Sequence, residues 1–287
     1  MAGNTDAPQD LAAWIGRSTE QEDSIAPGLL DRFAAVLDRS GTPARPGDAA
    51  PPLAHWLLFL SDTPQSGLGP DGHPARGGFL PPVHDLPRRM WAGGRLQFHA
   101  PLRAGEALRR RSVIKAIERR EGASGPLVFV TLRHEIGAAA GGPTLLTEEH
   151  DIVYRGTEGA AVKPAPEAPR GEWHRSLVPD AVLLFRYSAL TFNGHRIHYD
   201  RDYVTTIEGY PGLIVHGPLT ATLLLDLVRR QQPEGRIAAF SFRAVSPLFD
   251  GAAMHLNATP PDAEGRIALW ATNDTGRLAM RGEARLG

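Results

Sequence analysis

The chain has 287 residues, a net charge of −1, 42% hydrophobic and 22% charged residues, and no cysteine. This composition is typical of a soluble globular protein, and the balanced charge argues against a nucleic-acid partner. The lack of cysteine excludes disulfides, thiolate metal sites and cysteine nucleophiles. The N-terminus does not read as a signal peptide, and no apolar run approaches the roughly 20 residues that span a membrane. We therefore expect a cytoplasmic protein without a membrane partner.

The first half of the chain is predicted to place one helix before a set of strands. Residues 1–10 are predicted to be disordered, and apolar residues at helical spacing predict a helix over 24–38, with Pro27 in its first turn. A loop over 61–88, rich in glycine and proline, is long enough to have a function, for instance as a lid over a ligand. Strand-length runs separated by glycine-containing breaks then predict strands at 95–99, 107–118, 127–136 and 145–154.

The second half follows a similar plan. Residues 156–171, rich in glycine, alanine and proline, predict a linker. An apolar segment at 181–185 precedes a polar stretch, and apolar residues on one face then predict a helix from 216 to about 230. Turns that contain proline or glycine separate most of the strands predicted at 237–245, 252–259, 267–272 and 277–285.

A short sequence recurs at equivalent places in the two halves. Pro101-Leu-Arg-Ala-Gly105 and Pro247-Leu-Phe-Asp-Gly251 each follow a predicted strand that carries a phenylalanine. Together with the repeated order of helix and strands, this match predicts two copies of one domain. We assign residues 10–155 to an N-terminal domain, 156–171 to the linker and 172–287 to a C-terminal domain. The predicted class is α+β, with antiparallel sheets each wrapped on a long helix.

Chemically active side chains are concentrated in residues 192–200, here called the polar loop, which read Phe-Asn-Gly-His-Arg-Ile-His-Tyr-Asp. His198 is the candidate acid–base group, because the pKa of imidazole lies closest to neutral pH. Asn193 cannot take a proton, but its amide can hold a water or a carbonyl oxygen. The structural alternatives are a hydrogen-bonded loop histidine for His198 and a turn residue for Asn193, since Asn-Gly is a strong turn dipeptide.

The polar loop also offers metal ligands. His195 and His198 with Asp200 or Asp202 would supply imidazole and carboxylate groups, but the spacings of familiar zinc and iron motifs are absent. We therefore predict no metal. No Gly-x-Ser-x-Gly surrounds the nearby serine Ser188, which argues against a serine hydrolase.

The second predicted helix opens with His216-Gly217-Pro218. Backbone N–H groups at a helix start have no partner within the helix and favour negative charge. Gly217 adds no side chain that would keep a ligand oxygen away, so the segment has the form of an oxyanion hole. An ordinary helix start with proline in its first turn is the structural alternative.

These residues resemble the MaoC-like hydratase/dehydratase family. Its signature, Gly-Asp-x-Asn-Pro-x-His followed by a helix that opens with His-Gly, aligns Asn193 with the aspartate, His195-Arg196 with the Asn-Pro pair and His198 with the catalytic histidine. The departures from the signature, and the segments 90–98 and 209–219, resemble one branch. It contains the mitochondrial-type 3-hydroxyacyl-thioester dehydratases and the bacterial mesaconyl-CoA and 3-methylfumaryl-CoA hydratases. The resemblance implies a double hotdog fold in which only the C-terminal half keeps the catalytic signature and the N-terminal half shapes the substrate tunnel.

The resemblance also implies a hydro-lyase that adds water to, or removes it from, an unsaturated acyl-CoA thioester. CoA is then part of the substrate, and no further cofactor is expected. His198 is the implied base, Asn193 orients the water, and the Gly217 N–H binds the enolate oxygen. A homodimer is a candidate assembly. The neighbouring candidates for substrate binding are His195, Arg196, Arg186, Tyr199, Val215 and His216.

The acyl group is left open by the sequence. A branched C5 dicarboxylyl-CoA such as mesaconyl-CoA is the first choice from the resemblance. Its free carboxylate would need a cation, for which Arg196 and Arg186 are candidates, although both arginines also fit surface ion pairs. A 3-hydroxyacyl-thioester dehydratase of fatty acid synthesis is the alternative in the same class. A hotdog thioesterase and a non-catalytic acyl-CoA-binding module are the alternatives from other classes.

Overall fold

The computed structural model describes residues 11–75, 77–122, 125–156 and 164–287. The predicted disorder of residues 1–10, and residues 157–163 of the predicted linker, lie outside these ranges. The described helices are α1, Pro27–Val36, α2, Ala181–Leu190, and α3, Gly217–Gln231. The described strands are β1, Ser18–Ser24, β2, Arg88–Phe98, β3, Ala107–Gly122, β4, Gly125–Ala138, β5, Thr144–Arg155, β6, Trp173–Leu177, β7, Ile237–Ala244, β8, Met254–Ala258, β9, Arg266–Thr272, and β10, Leu278–Leu286.

All these strands form one antiparallel sheet in the order β1-β3-β4-β5-β2-β7-β10-β9-β8-β6. Within each half, counted from its outer edge, the order is first, third, fourth, fifth and second strand. The same topology therefore occurs twice, and the predicted α+β class with antiparallel strands is confirmed. The domain boundaries at 156 and 171 stay a prediction.

The halves meet where β2 pairs with β7, from Gly93 opposite Arg243 to Gln97 opposite Ala239. This pairing is possible only because residues in the middle of β2 lack side chains. A Cβ on Gly93 would lie 2.4 Å from the carbonyl oxygen of Phe242, far inside van der Waals contact. The two successive glycines before Arg95 thus allow β7 to approach and make the sheet continuous.

Helix α3 is the buried centre of the C-terminal half. It packs against β6, β8, β9 and β10, and every residue from Leu219 to Val228 is buried. Most of these side chains are apolar, and the buried Asp226 is ion-paired with Arg39, Arg175 and Arg230, so the helix is stable only inside a core. Its first turn is therefore held rigidly where the polar loop can reach it.

The N-terminal half departs from the expectation of a second long helix. Helix α1 has ten residues and makes its main helical contact with α2. Between α1 and β2, where the C-terminal half has α3, the described residues hold only two short 3-10 helices, Ala54–Leu57 and Gln65–Gly67. Two side chains of the first bind the buried carboxylate of Glu148, with His55 Nε2 at 3.1 Å and Trp56 Nε1 at 3.0 Å. The mostly apolar interior of this half therefore contains a polar cluster.

Further polar groups surround Glu148. Ser112 Oγ and His134 Nδ1 lie 2.7 Å apart, and the Trp91 ring stacks on His150 with centroids 3.9 Å apart. Burial works to raise the pKa of Glu148, but the hydrogen bond from His55 and the neighbouring histidines lower it to about 2. The carboxylate is thus ionised and fully bonded inside the N-terminal half. No helix of the described chain is long and apolar enough to cross a membrane.

Candidate active site

The polar loop begins with a sharp change of chain direction after α2. Phe192 adopts a left-handed conformation with φ of 47°, which is uncommon for a residue with a side chain and occurs mainly in turns and at functional sites. The next residue, Asn193, donates its N–H to the Ser188 carbonyl at 2.8 Å and accepts the His195 N–H on Oδ1 at 2.9 Å. Asn193 therefore stabilises the turn through its side-chain oxygen, and its side-chain NH₂ group is left for other partners.

His198 ends the short 3-10 helix Arg196–His198 and lies buried between the loop and α3. Its Nδ1 lies 2.7 Å from the carbonyl oxygen of Ile214, which can only accept a hydrogen bond. The ring proton therefore sits on Nδ1, and the lone pair is on Nε2. Within the described parts of the chain, Nε2 has no hydrogen-bond partner.

The protonation state of His198 is fixed mainly by burial. Burial lowers its pKa to about 3, the bond to the Ile214 carbonyl opposes this shift, and the nearby rings of His195 and His73 reinforce it. The imidazole is consequently neutral at physiological pH. A neutral ring with a free Nε2 is competent to take a proton from water.

His216 holds this base against the start of α3. Its ring stacks on that of His198 with centroids 3.7 Å apart and an interplanar angle of 19°. On its other side, Nε2 shares a 2.8 Å hydrogen bond with the buried hydroxyl of Ser188, and the ring meets Tyr187 edge-on. Burial and the adjacent His198 keep the pKa of His216 well below its usual value. His216 is thus a neutral side chain that packs against the His198 ring and fixes its position.

Gly217 is the first residue of α3, directly after His216. The first helical turn closes with the Thr220 N–H donating to the His216 carbonyl at 3.0 Å, so it leaves the Gly217 N–H unused. No other group in the described residues accepts from this N–H. The space above Gly217 is open, since an added Cβ would meet no atom within 4 Å. An oxygen with developing negative charge fits there beside the His198 ring.

The loop predicted over 61–88 comes from the N-terminal half and lies across the polar loop. The Asp71 carbonyl accepts the Arg196 N–H at 2.9 Å, and the Pro70 carbonyl accepts from Arg196 Nη1 at 3.0 Å. Gly72 has a φ of 87°, and a Cβ there would lie 1.9 Å from the Gly194 carbonyl oxygen. The close contact therefore depends on glycine, and the polar loop is covered by the other half of the chain.

This contact brings together a group that the sequence analysis did not predict. The His73 and His195 rings lie 4.0 Å apart, and Asp71 Oδ2 lies 3.2 Å from His73 Nδ1. One ligand atom from each of these three residues lies within 4.8 Å of the others, which is close enough for a shared cation. The hydrogen bond between Asp71 and His73 accounts for that pair without an ion. The predicted absence of a metal stays a prediction.

The other residues proposed from the sequence differ in their burial and in their partners. Val215 is buried beside Gly217 and donates its N–H to the Leu248 carbonyl at 2.9 Å, while the Tyr199 hydroxyl donates to the Gly194 carbonyl at 3.0 Å. Arg196 is engaged by Asp200, with Nε at 3.0 Å and Nη2 at 2.8 Å from one carboxylate oxygen. Arg186 is exposed on α2 and, among the described residues, contacts no acid.

Comparisons with known proteins agree with this geometry. A family model described as hydroxyacyl-thioester dehydratase type 2 matches residues 53–250. The chain is 48% identical over 284 residues to the mesaconyl-C(4)-CoA hydratase of Chloroflexus aurantiacus, covering 97% of this chain and 98% of that one. It is 28% identical over 251 residues to the mitochondrial hydroxyacyl-thioester dehydratase type 2 of Schizosaccharomyces pombe, covering 77% of this chain and 80% of that one.

Solved structures confirm the predicted double hotdog fold. A MaoC-like dehydratase superposes with a TM-score of 0.68 at 14% identity, covering 96% of this chain and 99% of that one. A Mycobacterium tuberculosis protein described as having a double hotdog fold superposes with a TM-score of 0.58 at 15% identity, covering 95% and 96% of the two chains. At such identities the likeness concerns the fold alone.

Proposed function

Because this chain belongs to the hydroxyacyl-thioester dehydratase type 2 family, we propose that it is a hydro-lyase that adds water to mesaconyl-C4-CoA. The observation that carries the proposal is the pairing of a neutral His198 that has a free Nε2 with the open N–H of Gly217. The substrate follows from the 48% identity to the Chloroflexus mesaconyl-C(4)-CoA hydratase over nearly the whole chain.

The proposed reaction needs one base and one oxyanion donor. His198 Nε2 takes a proton from water while the water oxygen bonds to the β-carbon of the unsaturated thioester. The electrons of the double bond move toward the thioester, whose oxygen becomes an enolate held by the Gly217 N–H. The protonated His198 then returns a proton to the α-carbon, and the thioester carbonyl forms again. Dehydration follows the same steps in reverse.

The neighbouring residues have supporting roles in this proposal. The free NH₂ group of Asn193 orients the attacking water, since its oxygen is already used by the turn. His216 keeps the His198 ring in position, and Val215 and Tyr199 line the path by which the substrate approaches it. The proposed reaction calls for no metal or redox cofactor, and CoA is part of the substrate. The cytoplasmic location and the homodimer remain predictions from the sequence.

A dehydratase of 3-hydroxyacyl thioesters is the second candidate, favoured by the 28% identity to the S. pombe enzyme. Such a substrate carries a long apolar chain in fatty acid synthesis. The interior of the N-terminal half instead contains Glu148, His134 and His150. Burial of an alkyl chain beside an ionised carboxylate and several imidazoles forfeits much of the hydrophobic gain. This observation favours a short polar acyl group.

The function is tested by incubating the protein with mesaconyl-C4-CoA, crotonyl-CoA and a long-chain enoyl-CoA and following each by mass spectrometry. We expect mesaconyl-C4-CoA to gain one water with the highest kcat/KM. A preference for the long-chain enoyl-CoA would support the fatty-acid alternative. Release of free CoA, detected with a thiol reagent, would identify a thioesterase, and binding without turnover would identify a binding module.

Substitution of Gly217 by alanine should separate catalysis from stability. The added methyl group meets no protein atom within 4 Å, and alanine has a higher helix propensity than glycine. The melting temperature should therefore not fall. The methyl group would narrow the open space beside the Gly217 N–H that the thioester oxygen must enter, and we expect kcat to drop by about 10²-fold, comparable to the loss of an oxyanion donor.

Gly28 provides a matched control for this substitution. It lies in the first turn of α1, and an added Cβ would meet only the end of the Arg32 side chain at 3.8 Å. Gly28→Ala should leave both kcat and stability at wild-type levels. A Gly217→Ala enzyme with wild-type kcat would show that the thioester does not come close to this residue, and the proposed oxyanion site would fail.

A further inference from the structure

We propose that Arg89, assisted by His73 and His195, binds the free carboxylate of the acyl group and thereby selects a dicarboxylyl thioester. The inference rests on the proposed function and adds a specificity-determining residue to it. Arg89 belongs to the N-terminal half and lies more than 100 residues before the polar loop. Three separate observations support it: the unpaired guanidinium, its position among the histidines, and the chemistry of the β-carbon.

The guanidinium of Arg89 is half-buried and unpaired. Its neighbour Arg88 donates to the Glu208 carbonyl at 3.2 Å and pairs with the Glu208 carboxylate at 3.3 Å. Arg89 has no comparable hydrogen bond or ion pair with any described residue, although it is the next residue of the same strand. Partial burial of a cation without an anion is costly. A site of this kind is completed by an anionic ligand.

Arg89 points to the face of the sheet that carries the interior histidines. It lies opposite Tyr154 in the register of β2 and β5, and alternation along the strand puts it on the same face as Trp91. The Trp91 ring stacks on His150. Burial is the main cause that lowers the pKa of His73, His195 and His150, and the charge of Arg89 lowers it further in all three. Arg89 therefore lies on the face of the sheet that carries the Trp91–His150 stack, near enough for its charge to act on all three rings.

The histidines connect Arg89 to the catalytic base. The His195 ring lies 4.0 Å from His73 and 5.5 Å from His198, between centroids. In mesaconyl-C4-CoA the free carboxylate is bonded to the β-carbon, which is also the carbon that receives water. A carboxylate so placed must lie close to His198 when the water is in line. The position between His195 and Arg89 meets this requirement.

The two arginines proposed from the sequence are less suited to this role. Arg196 donates to Asp200 through two nitrogens and to the Pro70 carbonyl through a third, and its guanidinium lies over the Tyr203 ring at 4.1 Å. Arg186 projects from the exposed side of α2. Arg89 is half-buried, close to His195 and free to form a bidentate pair with a carboxylate.

The test compares two saturated thioesters that the enzyme cannot hydrate. In 2-methylsuccinyl-4-CoA the carboxylate has the same place as in mesaconyl-C4-CoA, and in isovaleryl-CoA a methyl group replaces it. Calorimetric titration of wild-type protein should show tighter binding of the methylsuccinyl thioester. Arg89→Met should weaken that binding by about 10–100-fold, the range for a hydrogen bond to a charged group, and leave isovaleryl-CoA binding unchanged.

Arg88→Met and Arg89→Lys are the controls. Arg88→Met removes a cation from the same strand and should preserve the preference for the methylsuccinyl thioester. Arg89→Lys keeps the charge but not the bidentate geometry and should give an intermediate preference. Equal binding of the two thioesters by wild-type protein, or a preference that survives Arg89→Met, would overturn the carboxylate site. A preference abolished by Arg89→Met in a protein that does not hydrate mesaconyl-C4-CoA would sustain the site and refute the proposed reaction.

Discussion

His198→Ala is expected to lower kcat for hydration by about 10²–10⁴-fold, the usual contribution of a general base. The bond from Nδ1 to the Ile214 carbonyl fixes the orientation of the neutral ring and leaves Nε2 as its basic nitrogen. The His216 ring stacks 3.7 Å away with its Nε2 bound to Ser188, and the His195 ring lies 5.5 Å away, so neither can replace the His198 ring. Steady-state kinetics with mesaconyl-C4-CoA measure the loss, and chemical denaturation verifies that the variant is folded.

Two further variants distinguish proton transfer from packing. His198→Gln keeps a polar side chain of similar length but cannot carry the proton, so it should be as slow as His198→Ala. His134→Gln changes a buried histidine of the N-terminal half whose pKa is likewise lowered to about 3, and it should retain wild-type kcat. A His198→Gln enzyme with near-wild-type turnover would show that His198 is structural.

The pH dependence of the wild-type rate follows from the same geometry. With its pKa lowered to about 3, His198 is already deprotonated at pH 6, so kcat/KM should be constant between pH 6 and 8. The activity requires the neutral ring and would be lost only as pH falls toward the lowered pKa. An acidic limb centred near 6.5 in a fully folded protein would contradict the lowered pKa of His198.

The proposed catalytic pair, His198 and Gly217, could be proposed from sequence because it is local. His198 and Gly217 lie 19 residues apart, and the signature that contains them specifies a loop and a helix start whose conformations depend mostly on their own residues. The structure adds the Ile214 bond, which decides the tautomer of His198, and the His216 stack, which helps to hold its ring in place. Neither can be inferred from residue types, because both depend on ring orientation.

Arg89 and His73 could not be predicted for the opposite reason. His73 reaches the polar loop only because the 61–88 loop folds back from the other half, through the close approach of Gly72 to Gly194, and Arg89 follows directly after that loop on β2. The edge strand β1 was missed because Ser18–Ser24 contains no hydrophobic residue. The available signal in the sequence was the acidic character of this segment beside the arginine-rich start of β3, with which it pairs, since edge strands are often charged. The helix predicted over 24–38 is shorter in the structure, because its C-terminus turns toward α3 at Leu37.

The protein is expected to lose stability steeply as the pH falls below 6.5. Burial lowers the pKa of six histidines, to about 3 for His134, His195 and His198, to about 4 for His150, below the usual value for His73 and well below it for His216. In the unfolded chain these side chains titrate near 6.5. A lowered pKa in the folded state means that the unfolded state binds more protons, so stability is complete above about 6.5 and declines as pH falls toward 3–4.

The decline should be large enough to measure by urea unfolding. Each additional proton bound by the unfolded chain removes about 1.4 kcal/mol per pH unit. Even three such protons, half of the number that the six histidines could bind, remove about 4 kcal/mol between pH 6 and 5, out of a typical total of about 5–15 kcal/mol. His134→Gln removes one of these groups and should reduce the slope of unfolding free energy against pH by about one proton. A free energy of unfolding that stays constant from pH 7 to 5 would mean that these histidines are protonated in the folded protein, and the neutral state assigned to His198 would then fail with them.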